Sequence, residues 1–185
     1  QLWEYLFCHK FDGRAAERMG APLALGSDRC HRLEDPWQDG AIPVRPEKPQ
    51  ESVDRILEFA RENPIAGVVA IGDPPTVIAA LASRELGLEY HPPQAVEACR
   101  NKFLARERYR AAGLLVPWYC RYPAGDDPPR DVPFPCVLKP LGLSASRGVI
   151  RADDRGQFLA AFARIRCLLR APDVRKMRDE ATEWI

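Results

Sequence analysis

FPCVLKPLGLSASRGVIRADD, residues 134–154, decides how the rest of the chain is read. Two short apolar runs, FPCVLKP and GVIRA, flank LGLSASR, and this spacing predicts two antiparallel strands joined by a loop of small polar residues. Lys139 closes the first strand, and Ser144, Ser146, Arg147 and Gly148 follow it. Such a loop offers backbone N–H groups, two hydroxyls and a second cation to a phosphate. Gly148 lets the backbone bend or approach a ligand closely. A surface hairpin with an ordinary exposed lysine is the plainer reading of the same residues. Neither GxxxxGK[ST] nor a strand-borne GxGxxG occurs, so two familiar phosphate loops are absent.

Downstream, Asp153 or Asp154 caps a helix whose Phe158, Ala161, Phe162, Ile165, Leu168 and Leu169 form one apolar stripe. Upstream, Asn101 is the N-cap of KFLARERYRAAG, which Gly113 ends. LVPWYCRY then predicts a strand and PAGDDPPRDVP a surface loop. A boundary falls near HPPQ, residues 91–94. Before it, DGRAAERMG (12–20) predicts a short helix and PLALGSD a strand; AIPV is an apolar break in a loop-rich stretch. Val53, Ile56, Leu57 and Ala60 share one helical face. GVVAIG (67–72) is continuous and apolar, as in a strand buried on both faces, and Pro74 or Pro75 starts the helix TVIAALASRELG. The expected class is α/β: a small open parallel-sheet domain over 1–96, then an α+β lobe with an antiparallel hairpin over 97–185.

Composition narrows the function classes. Apolar content of 46% and charged content of 29% fit a folded domain, and 27 basic against 26 acidic residues argue against nucleic acid or a membrane surface as bulk partner. No apolar run reaches the roughly 18 residues of a membrane span. LWEYLFC is too short, and at Glu4 too acidic, for a secretory signal, so the cytoplasm is the expected location. The six cysteines lack CxxC spacing; Cys8–His9 and Cys30–His31 do not resemble a zinc knuckle, and buried free thiols are expected. No metal site is expected within the chain.

Taken in order, Asn101-Lys102, RYRAAGLLVP (108–117), FPCVLKP (134–140) and SASRGVIRADD (144–154) resemble the ATP-grasp superfamily of carboxylate–amine ligases, nearest the group with amino-acid and dipeptide ligases. The resemblance covers about residues 20–185; the upstream GVVAIGDPPTVIAALASRELGL looks like the α/β domain that precedes the grasp module. It implies that Lys139 touches the ATP phosphates and adenine edge, and Lys102 the α-phosphate. Ser144, Ser146 and Gly148 would lie in a mobile loop over the β- and γ-phosphates, with Arg147 as an added cation. Asp73, after the apolar run, would hold the acceptor substrate or cap the next helix.

The implied chemistry is phosphoryl transfer from ATP to a carboxylate, followed by attack of an amine on the acyl phosphate. ATP and Mg2+ are the implied cofactors, with the magnesium ligands on a later sheet beyond residue 185, so the chain would stop before the second nucleotide lobe and be inactive alone. QLWEYLFCHK is a poor version of the family's first strand. Small-molecule carboxylate and amine substrates are the implied partners, and a homodimer stays open. Two other readings remain: a non-catalytic binding or scaffolding module of the same architecture, and an unrelated α/β sensor domain using Asp73. Arg84, Arg106 and Arg108 are read as solvated helix-face charges.

Overall fold

The structure, a computed structural model, describes residues 18, 20, 23–27, 41–175 and 183–185. The helix expected over 12–20, apart from Arg18 and Gly20, and the Cys8–His9 and Cys30–His31 pairs lie outside the described residues. The chain divides into two compact units, Gln1–Pro93 and Gln94–Ile185.

In the first unit, β1 (Leu25–Ser27) and β2 (Ala41–Pro43) pair in parallel, with Gly26 opposite Ile42. Helix α1 (Pro49–Ala60) starts with proline at its first turn, where a missing N–H costs nothing. Its start is tied down by Ser52, whose hydroxyl accepts from the Arg45 amide at 2.7 Å and donates to the carbonyl of Lys48. Val53 and Ile56 turn inward against Ile42, Val44 and, from α2 (Thr76–Glu85), Ile78 and Ala82. This core holds the α/β character of the unit.

The expected strand over GVVAIG is not formed. Residues 67–72 pair with no strand among the described residues, Val69 is 86% exposed and Ile71 44%. A strand buried on both faces needs neighbours along both edges and a layer on each side, and among the described residues the run has no strand neighbour.

The second unit begins with α3 (Pro93–Arg100), where the sequence had suggested only a boundary. Helix α4 (Lys102–Ala111) starts as expected: the Asn101 side chain accepts from the amides of Phe103 and Leu104 at 3.1 and 3.0 Å. It ends at Gly113, whose φ of +74° lets the Leu114 amide reach back to Tyr109 O at 3.0 Å. No residue of α4 is buried.

LVPWYCRY is not a strand either. Instead Arg110, Tyr119, Phe103, Arg121 and Trp184 stack in that order, with the Tyr119 and Phe103 rings edge to face at 5.7 Å and Arg121 lying 4.5 Å from the Phe103 centroid and 4.6 Å from that of Trp184. The segment is therefore held to α4 by side-chain stacking rather than by a ladder. Beyond it, Tyr122 exchanges backbone bonds with Ile185 at 2.9 and 3.0 Å, so residues 183–185 are a paired segment.

The hairpin follows. β3 (Cys136–Leu138) pairs antiparallel with β4 (Ile150–Ala152), Leu138 opposite Ile150. Helix α5 (Arg155–Leu169) packs beneath it and a short α6 (Pro172–Arg175) closes the unit. Asp154, not Asp153, caps α5: its carboxylate accepts from the Gln157 amide at 2.8 Å, while the Gln157 side chain reaches back to the Asp153 amide. The expected stripe is inward-facing. Phe158, Ala161, Phe162, Ile165 and Leu169 are buried with Leu138, Leu143 and Ala152, and Leu168 packs at the margin.

Candidate functional site

Alternation along β3 decides what the hairpin presents. Leu138 and Pro140 are buried in the unit, so Val137 and Lys139 fall on the outward side, and both are exposed. Continuing the register sets Val149, also exposed, opposite Lys139. The outward face thus carries a cation between two valines. Lys139 makes no hydrogen bond or ion pair among the described residues.

Residues 140–143 form a fixed strap. The side chains of Pro140, Leu141 and Leu143 are buried, and the Leu141 amide donates to Trp184 O at 3.0 Å. Lys102 completes the hold from α4: its Nζ donates to Leu143 O at 2.6 Å and to Leu141 O at 3.1 Å. Lys102 is thereby brought to the strap that follows Lys139, although the two lysines are far apart in sequence.

The turn over 144–148 differs in kind. Its internal bonds are Arg147 N to Ser144 O and Val149 N to Ser146 O, each 3.1 Å. Ala145 and Ser146 both take positive φ, 53° and 56°, a region costly for residues with a Cβ. The amides of Ala145, Ser146 and Gly148 donate to nothing among the described residues, and Ser144 and Ser146 are exposed. Successive unpaired N–H groups in a left-handed turn make a concavity suited to an anion.

Gly148 bends the backbone through positive φ and also allows a close packing contact. At φ +78°, a Cβ there would lie 2.8 Å from both Pro140 Cγ and Leu168 Cδ2. The glycine lets the return leg of the turn pass close over Pro140. Arg147 is engaged as well: its guanidinium meets Asp173 at 2.7 Å and holds that carboxyl below the usual carboxylate range. A hollow of about 540 Å3 beside it is lined by Arg147, Arg151, Arg164, Ile165 and Leu168.

The carboxylates near the hairpin do not fit a metal. Asp154 caps α5, Asp153 pairs with Arg151 at 2.7 Å and Asp173 with Arg147, and no cluster of three or more metal-ligating side chains occurs among the described residues. The described thiols are free but not buried as expected: Cys99, Cys120 and Cys167 are exposed and Cys136 is half-buried. Partial desolvation still pushes the Cys120 and Cys136 thiols up, away from nucleophilic chemistry.

Asp73 lies in the first unit and lacks the strand expected before it. Its backbone carbonyl, not its carboxylate, accepts from Thr76 N and Oγ1 at 3.3 and 2.6 Å, so the expected carboxylate cap is not made. Arg84 pairs with Glu85, and Arg106 lies over the Tyr109 ring. Sequence reasoning missed the partners of Lys102 and Arg147 and the ring–cation stack; all join residues far apart in sequence, and no local pattern announces them.

No protein-family profile matches the chain. The ATP-grasp enzyme fsqD of Aspergillus fumigatus is 30% identical over 174 residues, covering 85% of this chain and 29% of the relative. A phosphoribosylamine–glycine ligase of Rhodopirellula baltica is 30% identical over 125 residues, 60% of this chain and 28% of the relative. Among solved structures, the L-amino acid ligase of Bacillus licheniformis superposes with a TM-score of 0.66 at 25% identity, over 81% of this chain and 37% of that one. The chain spans under a third of the length of these curated relatives (29% and 28%).

Proposed function

We propose, since this chain belongs to the ATP-grasp superfamily, that its second unit forms one wall of the ATP site of a carboxylate–amine ligase. One observation carries the reading: an exposed lysine and a turn with unpaired amides stand at the two ends of a fixed strap. In this reading Lys139 draws the phosphate chain to the end of β3. The Ser144 and Ser146 hydroxyls and the Gly148 amide donate to its far end, with Lys102 and Arg147 as further cations at the site. Val137 and Val149 offer the purine an apolar surface. In the first unit, Asp73 is assigned to the acceptor substrate, so Asp73→Ala should raise KM for that substrate and leave KM for ATP unchanged.

The reaction follows the family. A substrate carboxylate oxygen attacks the γ-phosphorus of ATP, the bond to ADP breaks, and an acyl phosphate forms. The amine then attacks the acyl carbon and phosphate leaves. The contribution of this chain is to hold the phosphates in line, neutralise part of their charge and exclude water.

A lysine–phosphate contact of this kind contributes about 1.5–3 kcal/mol. Lys139→Ala should therefore weaken ATP binding by roughly ten- to a hundredfold in calorimetry, at unchanged melting temperature. Equal affinity in both proteins would overturn the reading. In the ligase, phosphate release should require both an acid and an amine. Nucleotide binding without release for any acid–amine pair would instead identify a binding module.

A further inference from the structure

We infer that Lys102 is a positioning residue: from α4 it braces the strap 140–143 and so sets the spacing between Lys139 and the turn at Ser144. Two hydrogen bonds carry the inference, Nζ to Leu143 O at 2.6 Å and to Leu141 O at 3.1 Å. An ammonium bonded to two carbonyls makes charge-assisted bonds, the stronger kind. They act on a segment whose other holds are different in nature. The Leu141 amide is taken by Trp184 O, and the side chains of Pro140 and Leu143 are buried. With Lys102, the carbonyls of Leu141 and Leu143 gain a partner that neither β3 nor β4 provides.

The geometry explains why a brace matters here. Beyond Leu143 the turn has little of its own: two backbone bonds, two residues at strained positive φ and three unpaired amides. A strained turn persists only where its surroundings over-determine it. The strap supplies one such constraint at Ser144, and Gly148 packed on Pro140 supplies the other at the return leg. Both constraints meet on the strap that Lys102 holds. Lys102 therefore acts on bound phosphate through Lys139 and Ser144, whether or not it also touches the phosphate.

The brace itself rests on the two hydrogen bonds of Lys102; only its consequence for ATP rests on the proposed function, and the two parts are read separately. Hydrogen exchange without nucleotide tests the brace. In Lys102→Met, which keeps length and removes the donors, the amides of Leu141, Arg147 and Val149 should exchange at least about tenfold faster, while those of the α5 core stay unchanged. Lys102→Arg, whose guanidinium can serve both carbonyls, should restore most of the protection and is the variant to read if Lys102→Met does not fold.

A double-mutant cycle with Lys139→Ala then tests the consequence. ATP affinity should fall at least about tenfold in Lys102→Met, and adding Lys139→Ala should cost less than about threefold more, because the lysine is already misplaced. Unchanged exchange in both Lys102 variants without nucleotide overturns the brace. Faster exchange with fully multiplicative effects on ATP overturns the coupling. Faster exchange in a protein that binds no ATP at all keeps the brace and sinks the nucleotide reading instead.

Discussion

Residues 67–71 and 148–152 open alike, Gly-Val-Val-Ala-Ile and Gly-Val-Ile-Arg-Ala, yet they end in opposite states. The second run supplies β4, paired with β3, and its Ala152 is fully buried. The first pairs with no strand among the described residues and leaves Val69 exposed. The difference lies in the partner rather than in the run. β4 finds β3 across one turn, whereas a central parallel strand depends on neighbours delivered by crossovers of a dozen or more residues. Apolar letters say that a run can be buried, not what will bury it.

Truncations in the two regions should separate most widely. Phe162, 1% exposed beneath the hairpin, should cost about 3–5 kcal/mol on replacement by alanine, read from the urea transition of the second unit. Val69→Ala should stay within about 0.5 kcal/mol. A loss at Val69 above roughly 1.5 kcal/mol would break the comparison, because it would mean that 67–72 is packed in solution. The leading glycines sharpen the same contrast. Gly148→Ala adds a Cβ against Pro140 and Leu168 at positive φ and should cost about 2–4 kcal/mol, whereas Gly67→Ala meets nothing within 4 Å and should be near neutral.

These contrasts mark what could be read from the letters. The hairpin, the Asn101 cap and the stripe from Phe158 to Leu169 were legible because each rests on a local period or a cap. HPPQ reads as a boundary, but proline at the first turn also starts helices, and here it opens α3. LVPWYCRY misled because aromatic and β-branched residues suit stacking on a helix as well as a ladder. At the site, Lys139 and the small-residue turn were visible from sequence. The carbonyl partners of Lys102 and the Asp173 partner of Arg147 were not, since they arise only once distant segments meet.

Capping offers a smaller test of the same local rule. Helix α5 has a side-chain cap, while α2 begins at Pro75 with none. Asp154→Ala should destabilise the second unit by about 1 kcal/mol, and Asp154→Asn by less, because asparagine still accepts from the Gln157 amide. If Asp154→Ala had no effect, the hairpin–helix junction would be held by packing alone.

The smallest effect concerns the residue just before each glycine, Ala66 in the first run and Arg147 in the second. Arg147 is ion-paired with Asp173, and that bond keeps the Asp173 carboxyl below its ordinary range. A carboxylate depressed on folding stabilises above its unfolded pKa of about 3.9, and its contribution is lost as pH falls through the folded value. The pair therefore persists across neutral pH and fails only in stronger acid. Both side chains are solvent-accessible, so salt screens it.

If Arg147 is a cation of the phosphate site, Asp173 competes with phosphate for it. Asp173→Asn at neutral pH and low salt should then tighten ATP binding by about two- to fivefold, a gain that vanishes at high salt and in combination with Arg147→Met. Weaker ATP binding in Asp173→Asn would reverse the assignment: the ion pair would be anchoring the turn for the phosphates, with Arg147 contributing by where it holds the backbone rather than by its charge.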